Sequence, residues 1–133
     1  VKAQAEEALA FLGLNEVRDV LAGNLSGGQK KLVELGRAMM SGARVILLDE
    51  PGAGVNPTLL NQLGEKIQRL NAERGITFCI IEHNMDMIAK LCDPVIVMAS
   101  GTVLTSGLMA DIRKDERVLE AYLGSSETGD PAA

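Results

Sequence analysis

The stretch Ile46-Leu47-Leu48-Asp49-Glu50-Pro51 decides how this chain is read. An apolar run, starting with Arg44-Val45, ends in two adjacent acids. Such a run is the pattern of a buried strand of a parallel sheet. The acids then fall at its C-terminal end, where open α/β sheets hold their ligands. One carboxylate there suits Mg²⁺, often through water. Its neighbour is placed to orient or deprotonate an attacking water. Read alone, the same run is equally a strand entering an acidic surface loop.

Downstream, Asn56-Pro57 marks a helix start, with Asn as N-cap and Pro at the first position. Leu60, Leu63, Ile67 and Leu70 recur on one face, and Gly75 stops the helix. Residues 76–81 (ITFCII) form a second buried strand, which places Cys79 in the core as a small hydrophobe. This strand runs into Glu82-His83. A lone histidine is commonly a structural hydrogen-bonder. At a strand end, however, His83 is placed to contact the same bound phosphate as Glu50. A short helix is expected over 84–92. Strands follow at 94–99 and 102–105, around a hairpin turn at Ser100-Gly101. Short helices near 108–113 and 115–122 precede a polar tail, 125–133, expected to be mobile. Strand, helix, strand, helix and strand in this order imply an α/β domain with a mostly parallel sheet.

Upstream lies Leu25-Ser26-Gly27-Gly28-Gln29, at the start of a helix over 27–40. Leu32, Leu35, Gly36 and Met39 mark its apolar face, and Ser26 is its N-cap. Two glycines let backbone amides approach a ligand, and the helix N-terminus favours an anion such as phosphate. The plainer reading is a helix start with a flexible glycine pair. A further helix over 2–12 ends at Gly13, and 14–24 reads as a loop.

Composition narrows the function classes. The 133 residues are 47% apolar but only 2% aromatic, so the core is aliphatic. The net charge of −5 and the lack of a basic stripe argue against nucleic acid. Cys79 and Cys92 are too few for a disulfide framework or a zinc site and suit a reducing compartment. Met85, Met87, Met98 and Met109 are read as packing rather than metal ligands. No apolar stretch is long enough to span a bilayer. The chain opens at Val1 in a helical pattern, which suggests a cut or processed piece of a longer one.

LSGGQ, a helix, ILLDEP, a helix and IIEH, in this order and spacing, resemble the ATP-binding cassette (ABC) family over essentially the whole chain. The resemblance implies a partial P-loop NTPase fold: an α/β domain with a mostly parallel sheet flanked by helices. Residues 1–26 would end a helical subdomain and carry the signature loop. Residues 27–107 would form the C-terminal part of the ATPase core, and 108–124 the C-terminal helices. It further implies that Ser26, Gly27, Gly28 and Gln29 contact the γ-phosphate of ATP held by a second, head-to-tail subunit. Asp49 would support Mg²⁺, Glu50 would be the catalytic base, and His83 would sense the γ-phosphate. Gly54-Val55-Asn56 matches the loop that crosses to the partner; many members carry Asp where Asn56 stands. Ala53–Pro57, Ile81–Asp86 and Val118–Gly124 resemble ATPases of branched-chain amino-acid importers, and lipopolysaccharide-export ATPases share part of this pattern. Membrane permease subunits would be the other partners, and the location would be cytoplasmic, on the inner face of the cell membrane.

The phosphate-gripping run Gly-x₄-Gly-Lys-Ser/Thr does not occur in these residues. The expectation is therefore the C-terminal half of a transport ATPase, inactive alone, with apolar surface and a strand edge exposed and self-association or altered packing of residues 1–25 as the result. Two alternatives stand beside it. One is a hydrolysis-dead module that docks on an intact cassette. The other is a non-transport cassette protein, which the net charge disfavours.

Overall fold

The structure, a computed structural model, describes residues 1–124. The tail expected at 125–133 lies outside the described residues. The chain divides into two compact units, Val1–Met87 and a second that begins at Ile88.

The first unit runs α1 (Lys2–Leu12), α2 (Gly27–Met40), β1 (Val45–Asp49), α3 (Pro57–Arg74) and β2 (Thr77–Ile81). Helix α4 (Met85–Leu91) begins in this unit. The segment between α1 and α2, expected to be plain loop, contains 3₁₀ turns at Asn15–Val17 and Ala22–Asn24. The apolar periodicity of the helices becomes burial. Leu32, Leu35 and Gly36 are buried on α2, and Leu63, Ile67 and Leu70 on α3. Full burial of each such aliphatic side chain contributes about 1.5–3 kcal/mol relative to exposure. Leu70 is the extreme case, at 0% exposed.

Strands β1 and β2 pair in parallel, with Val45 opposite Thr77 and Asp49 opposite Ile81. Bonds from Thr77 N–H to Arg44 O and from Glu50 N–H to Ile81 O, both 2.9 Å, extend the ladder at either end. The two strands were expected to be buried. Instead, burial alternates along them: Ile46 is 5% exposed and Leu47 76%. Val45, Leu47 and Ile81 stand on the open side. Cys79 is likewise exposed rather than in the core. The reason is geometric. Successive residues of a strand point to opposite faces, and this two-stranded sheet is covered on only one of them among the described residues. The exposed apolar surface expected from the sequence is therefore present.

The second unit is a hairpin of β3 (Val95–Ala99) and β4 (Thr102–Gly107), followed by α5 (Met109–Ile112) and α6 (Glu116–Gly124). The strands are antiparallel, turned by Ser100 and Gly101 at φ 49° and 76°. Its core is Val95, Ile112 and Val118, with Ile88, Cys92, Val97 and Met109 packed against them. The α/β class thus holds, with one parallel pair and one antiparallel pair among the described strands.

Candidate active site

The candidate site residues Ser26, Gly27, Gly28, Gln29, Asp49, Glu50, Asn56 and His83 all lie in the first unit. Asp49 is the last residue of β1 and is solvent-exposed. The chain then turns sharply: Glu50 has φ 45°, the left-handed region. A non-glycine residue there costs about 1–2 kcal/mol, so the surroundings must hold it. They do so through Glu50 N–H to Ile81 O at 2.9 Å and Ala53 N–H to Glu50 O at 3.0 Å. The first of these bonds ties the turn after β1 to the end of β2.

That tie brings the two strand ends together. His83 Nδ1 lies 3.5 Å from Glu50 Oε1, with both side chains largely exposed. The structure thus brings together Glu50 and His83, two residues singled out from the sequence. A groove of about 240 Å³ opens beside Asp49, bounded by Lys31, Glu34 and Leu35 of α2 and by β1. Glu50 and His83 do not line it.

The residue that organises this corner is one the sequence reading passed over. Glu82 Oε1 accepts from Gly52 N–H at 2.8 Å. Its Oε2 accepts from His83 N–H at 3.0 Å and Asn84 N–H at 3.1 Å. Burial by itself raises the Glu82 carboxyl's pKa. The amides of Asn84, Gly52 and His83, with the nearby His83 ring, outweigh it and hold the group below the usual glutamate value. Gly52 and Glu82 are 30 residues apart, so no local pattern announces the contact. Asn84 continues the arrangement by accepting from Met87 N–H at 2.9 Å, which caps α4.

The residues of the LSGGQ segment occupy two different environments. Ser26 and Gln29 form a reciprocal cap: Gln29 N–H donates to Ser26 Oγ at 3.2 Å, and Ser26 N–H to Gln29 Oε1 at 2.9 Å. This is a capping box, legible in the Ser-x-x-Gln spacing. Gly27 is open, with nothing near the position a Cβ would take. Gly28 is buried, and Leu59 Cδ2 of α3 sits 1.4 Å from where its Cβ would be. Gly27 therefore leaves room for a ligand, whereas Gly28 leaves room for a helix. Asn56 caps α3 as expected, accepting from Leu59 N–H at 2.9 Å, with Pro57 in the first turn.

No group of three His, Cys, Asp or Glu residues able to hold a metal occurs among the described residues. The donors at this corner are the exposed carboxylates of Asp49 and Glu50. That set does not cage a metal by itself. It fits a Mg²⁺ that arrives already bound to nucleotide phosphates, since such ions take one or two carboxylates and keep water and phosphate oxygens for the rest.

Comparison with known proteins gives a consistent picture. Residues 1–53 match the ABC transporter family, and residues 98–128 match the branched-chain amino acid ATP-binding cassette transporter family. The probable branched-chain amino acid transport ATP-binding protein LivG of Archaeoglobus fulgidus is 42% identical over 125 residues, covering 94% of this chain and 48% of that protein. The lipopolysaccharide export system ATP-binding protein LptB of Acidithiobacillus ferridurans is 38% identical over 119 residues, covering 90% of this chain and 49% of that protein. A solved ATP-binding cassette of an ABC transporter in its ADP conformation superposes with a TM-score of 0.84 at 40% identity, over 92% of this chain and 49% of that one. The chain thus spans about half the length of the relatives it matches.

Proposed function

Because this chain belongs to the ABC-transporter ATP-binding family, we propose that its Asp49, Glu50 and His83 form the hydrolytic corner of an ATPase subunit that drives solute transport. The observation that carries this reading is the 3.5 Å approach of His83 Nδ1 to Glu50 Oε1 at the ends of paired strands. A carboxylate in that place is positioned to accept a proton from a water attacking the terminal phosphate. The imidazole beside it is positioned to hydrogen-bond a phosphate oxygen. Asp49 would hold the Mg²⁺ that comes with the nucleotide, and that ion would supply charge neutralisation at the phosphates.

The remaining residues act on a second subunit. Gly27, with open space above it, and the free amides of the α2 N-terminus face the γ-phosphate of ATP bound by a head-to-tail partner. Asn56 lies on the loop that meets that partner. Membrane permease subunits transmit the closure of the pair to the solute path, which places the protein on the cytoplasmic face of the membrane. No helix among the described residues is long and apolar enough to cross a membrane. The transported solute is read as a branched-chain amino acid. That reading is supported by the match over 98–128 and by LivG. The 38% identity to LptB keeps lipopolysaccharide export as a second reading.

The Gly-x₄-Gly-Lys-Ser/Thr phosphate grip is absent from this sequence. On this reading these 133 residues supply the hydrolytic corner but not the phosphate grip, and leave ATP intact by themselves. The test joins them to the phosphate-gripping half of LivG and measures phosphate release. Turnover in the joined protein and none in the chain alone is the expected result. Turnover by the chain alone, or a folded joined protein that binds ATP without turnover, would overturn the reading.

A further inference from the structure

Glu82 is the side chain in which the two loops of the proposed site meet. One of its oxygens serves Gly52, in the loop that begins with Glu50, and the other serves His83 and Asn84. The loops leave different strands, and this carboxylate ties them together beside the Glu50 N–H to Ile81 O bond and the exposed approach of His83 to Glu50. The approach is close. A Cβ on Gly52 would lie 2.7 Å from Glu82 Oε1 and 2.9 Å from Leu60 Cδ1, so glycine is what lets the carboxylate reach the amide. Glu82 is half-buried, whereas Glu50 and His83 are exposed. It is thus withdrawn from solvent beneath the groups it organises.

Resting on the reading of Glu50 and His83 given above, we propose that Glu82 is a positioning residue that fixes the distance between them. The carboxylate has acceptors on two sides, and three backbone donors converge on it. A neutral amide of the same shape has one acceptor oxygen and, on its other side, an NH₂ that opposes the donors there. Glu82→Gln therefore keeps one loop and releases the other. Charge-assisted bonds to backbone amides are roughly twice as strong as neutral ones, so the bond that remains is also weaker.

The experiment uses the 133-residue chain with no nucleotide, so it does not depend on whether the chain hydrolyses ATP. Amide hydrogen exchange is followed by NMR in the native protein, Glu82→Gln and Gly52→Ala. In Glu82→Gln, exchange at either Gly52 or the His83–Asn84 pair is expected to rise by about tenfold, the scale of one lost hydrogen bond. In Gly52→Ala the amide of residue 52 rises while Asn84 does not. Amides in the middle of α3 serve as the reference for global opening, and changes are read relative to them. A second readout addresses position directly. Glu50→Gln is expected to shift the His83 ring resonances in the native background, and to shift them by less than half as much in Glu82→Gln. Unchanged protection of all three amides in Glu82→Gln would overturn the proposal. So would an undiminished response of the His83 ring to Glu50→Gln in that background.

Discussion

His83 Nδ1 stands 3.5 Å from Glu50 Oε1, across the ends of two strands whose last residues, Asp49 and Ile81, are direct partners. Parallel pairing sets this level, because both chains leave the sheet in the same direction. The contact itself adds little stability: pairs this exposed are worth about 0–1 kcal/mol. Its value lies in arrangement, and the first prediction separates the two. In the joined protein, Glu50→Gln is expected to lower kcat by about 10²–10⁴-fold, the usual range for a general base. ATP affinity should remain, since glutamine keeps the shape. His83→Ala should lower kcat in the same direction. A Glu50→Gln protein with native kcat would remove Glu50 from the proposed role.

The two glycines of the LSGGQ segment should respond differently. Gly28→Ala places a methyl group where Leu59 already sits. Overpacking of this kind costs about 1–3 kcal/mol, which urea unfolding of the chain would register. Gly27→Ala meets nothing within 4 Å and sits in the first turn of a helix. Its unfolding midpoint should stay near native. If Gly27 instead faces a phosphate, its substitution should reduce turnover of the joined protein without reducing stability. Equal destabilisation by both substitutions would contradict the packing described.

What the sequence made legible follows the same division. Periodicity located the buried faces of α2 and α3, because an apolar stripe such as Leu63, Ile67 and Leu70 has only one way to be covered. Asn56-Pro57 announced the start of α3, since capping is a local interaction. Ile46–Asp49 announced a strand, but an apolar run does not say how many neighbours the strand has. That is why Cys79 was placed in the core and stands exposed. Two adjacent glycines look alike in sequence, and only the crossing of α3 distinguishes Gly28 from Gly27. Glu82 escaped because its partner Gly52 is 30 residues away. The 3₁₀ turns at Asn15–Val17 and Ala22–Asn24 are three residues each, too short for any period to show.

Asn56 tests the cap of α3 apart from any charge. Asn56→Ala removes the acceptor of Leu59 N–H and should cost about 1 kcal/mol. Asn56→Asp keeps the acceptor and places a negative charge at a helix N-terminus, where it adds about 0.3–1 kcal/mol. Thermal unfolding should therefore rank Asp at or above Asn, and both above Ala. If Asp at 56 unfolds earlier than Asn, the cap geometry is not the one described.

Neighbouring positions on β1 offer a sharper contrast. Ile46 is 5% exposed and Leu47 is 76% exposed. Ile46→Ala should cost about 2–5 kcal/mol, through lost burial and a cavity. Leu47→Ala should stay within about 0.5 kcal/mol of native. Leu47→Lys is expected to lower the light-scattering mass of concentrated protein, because it charges an exposed apolar strand face. A monomer mass for the native chain at high concentration would count against self-association through this face.

Acid should loosen the start of α6 in a defined window. The Asp115 carboxyl is held at about 2, below its ordinary 3.8, above all by its side-chain hydrogen bond with Arg117. Arg117 Nη2 lies 2.7 Å from Oδ2, and Arg117 Nε and backbone N–H each lie 3.0 Å from Oδ1. A carboxylate with a depressed folded pKa stabilises the fold above its unfolded value and gives that stability up as pH falls through the folded one. The contribution of Asp115 is thus full above an unfolded value of about 3.9. It declines below that value and is gone once pH has passed below about 2. Glu82, in the other unit, is depressed in the same direction, so a global melt would mix the two. The Arg117 amide resonance isolates the first. Its shift should titrate with a midpoint near 2 in the native chain. In Asp115→Asn the titration should vanish, while amide exchange in the first turn of α6 becomes faster at neutral pH. A midpoint near 4 in the native chain, the ordinary aspartate value, would mean that Arg117 does not hold the carboxylate in solution.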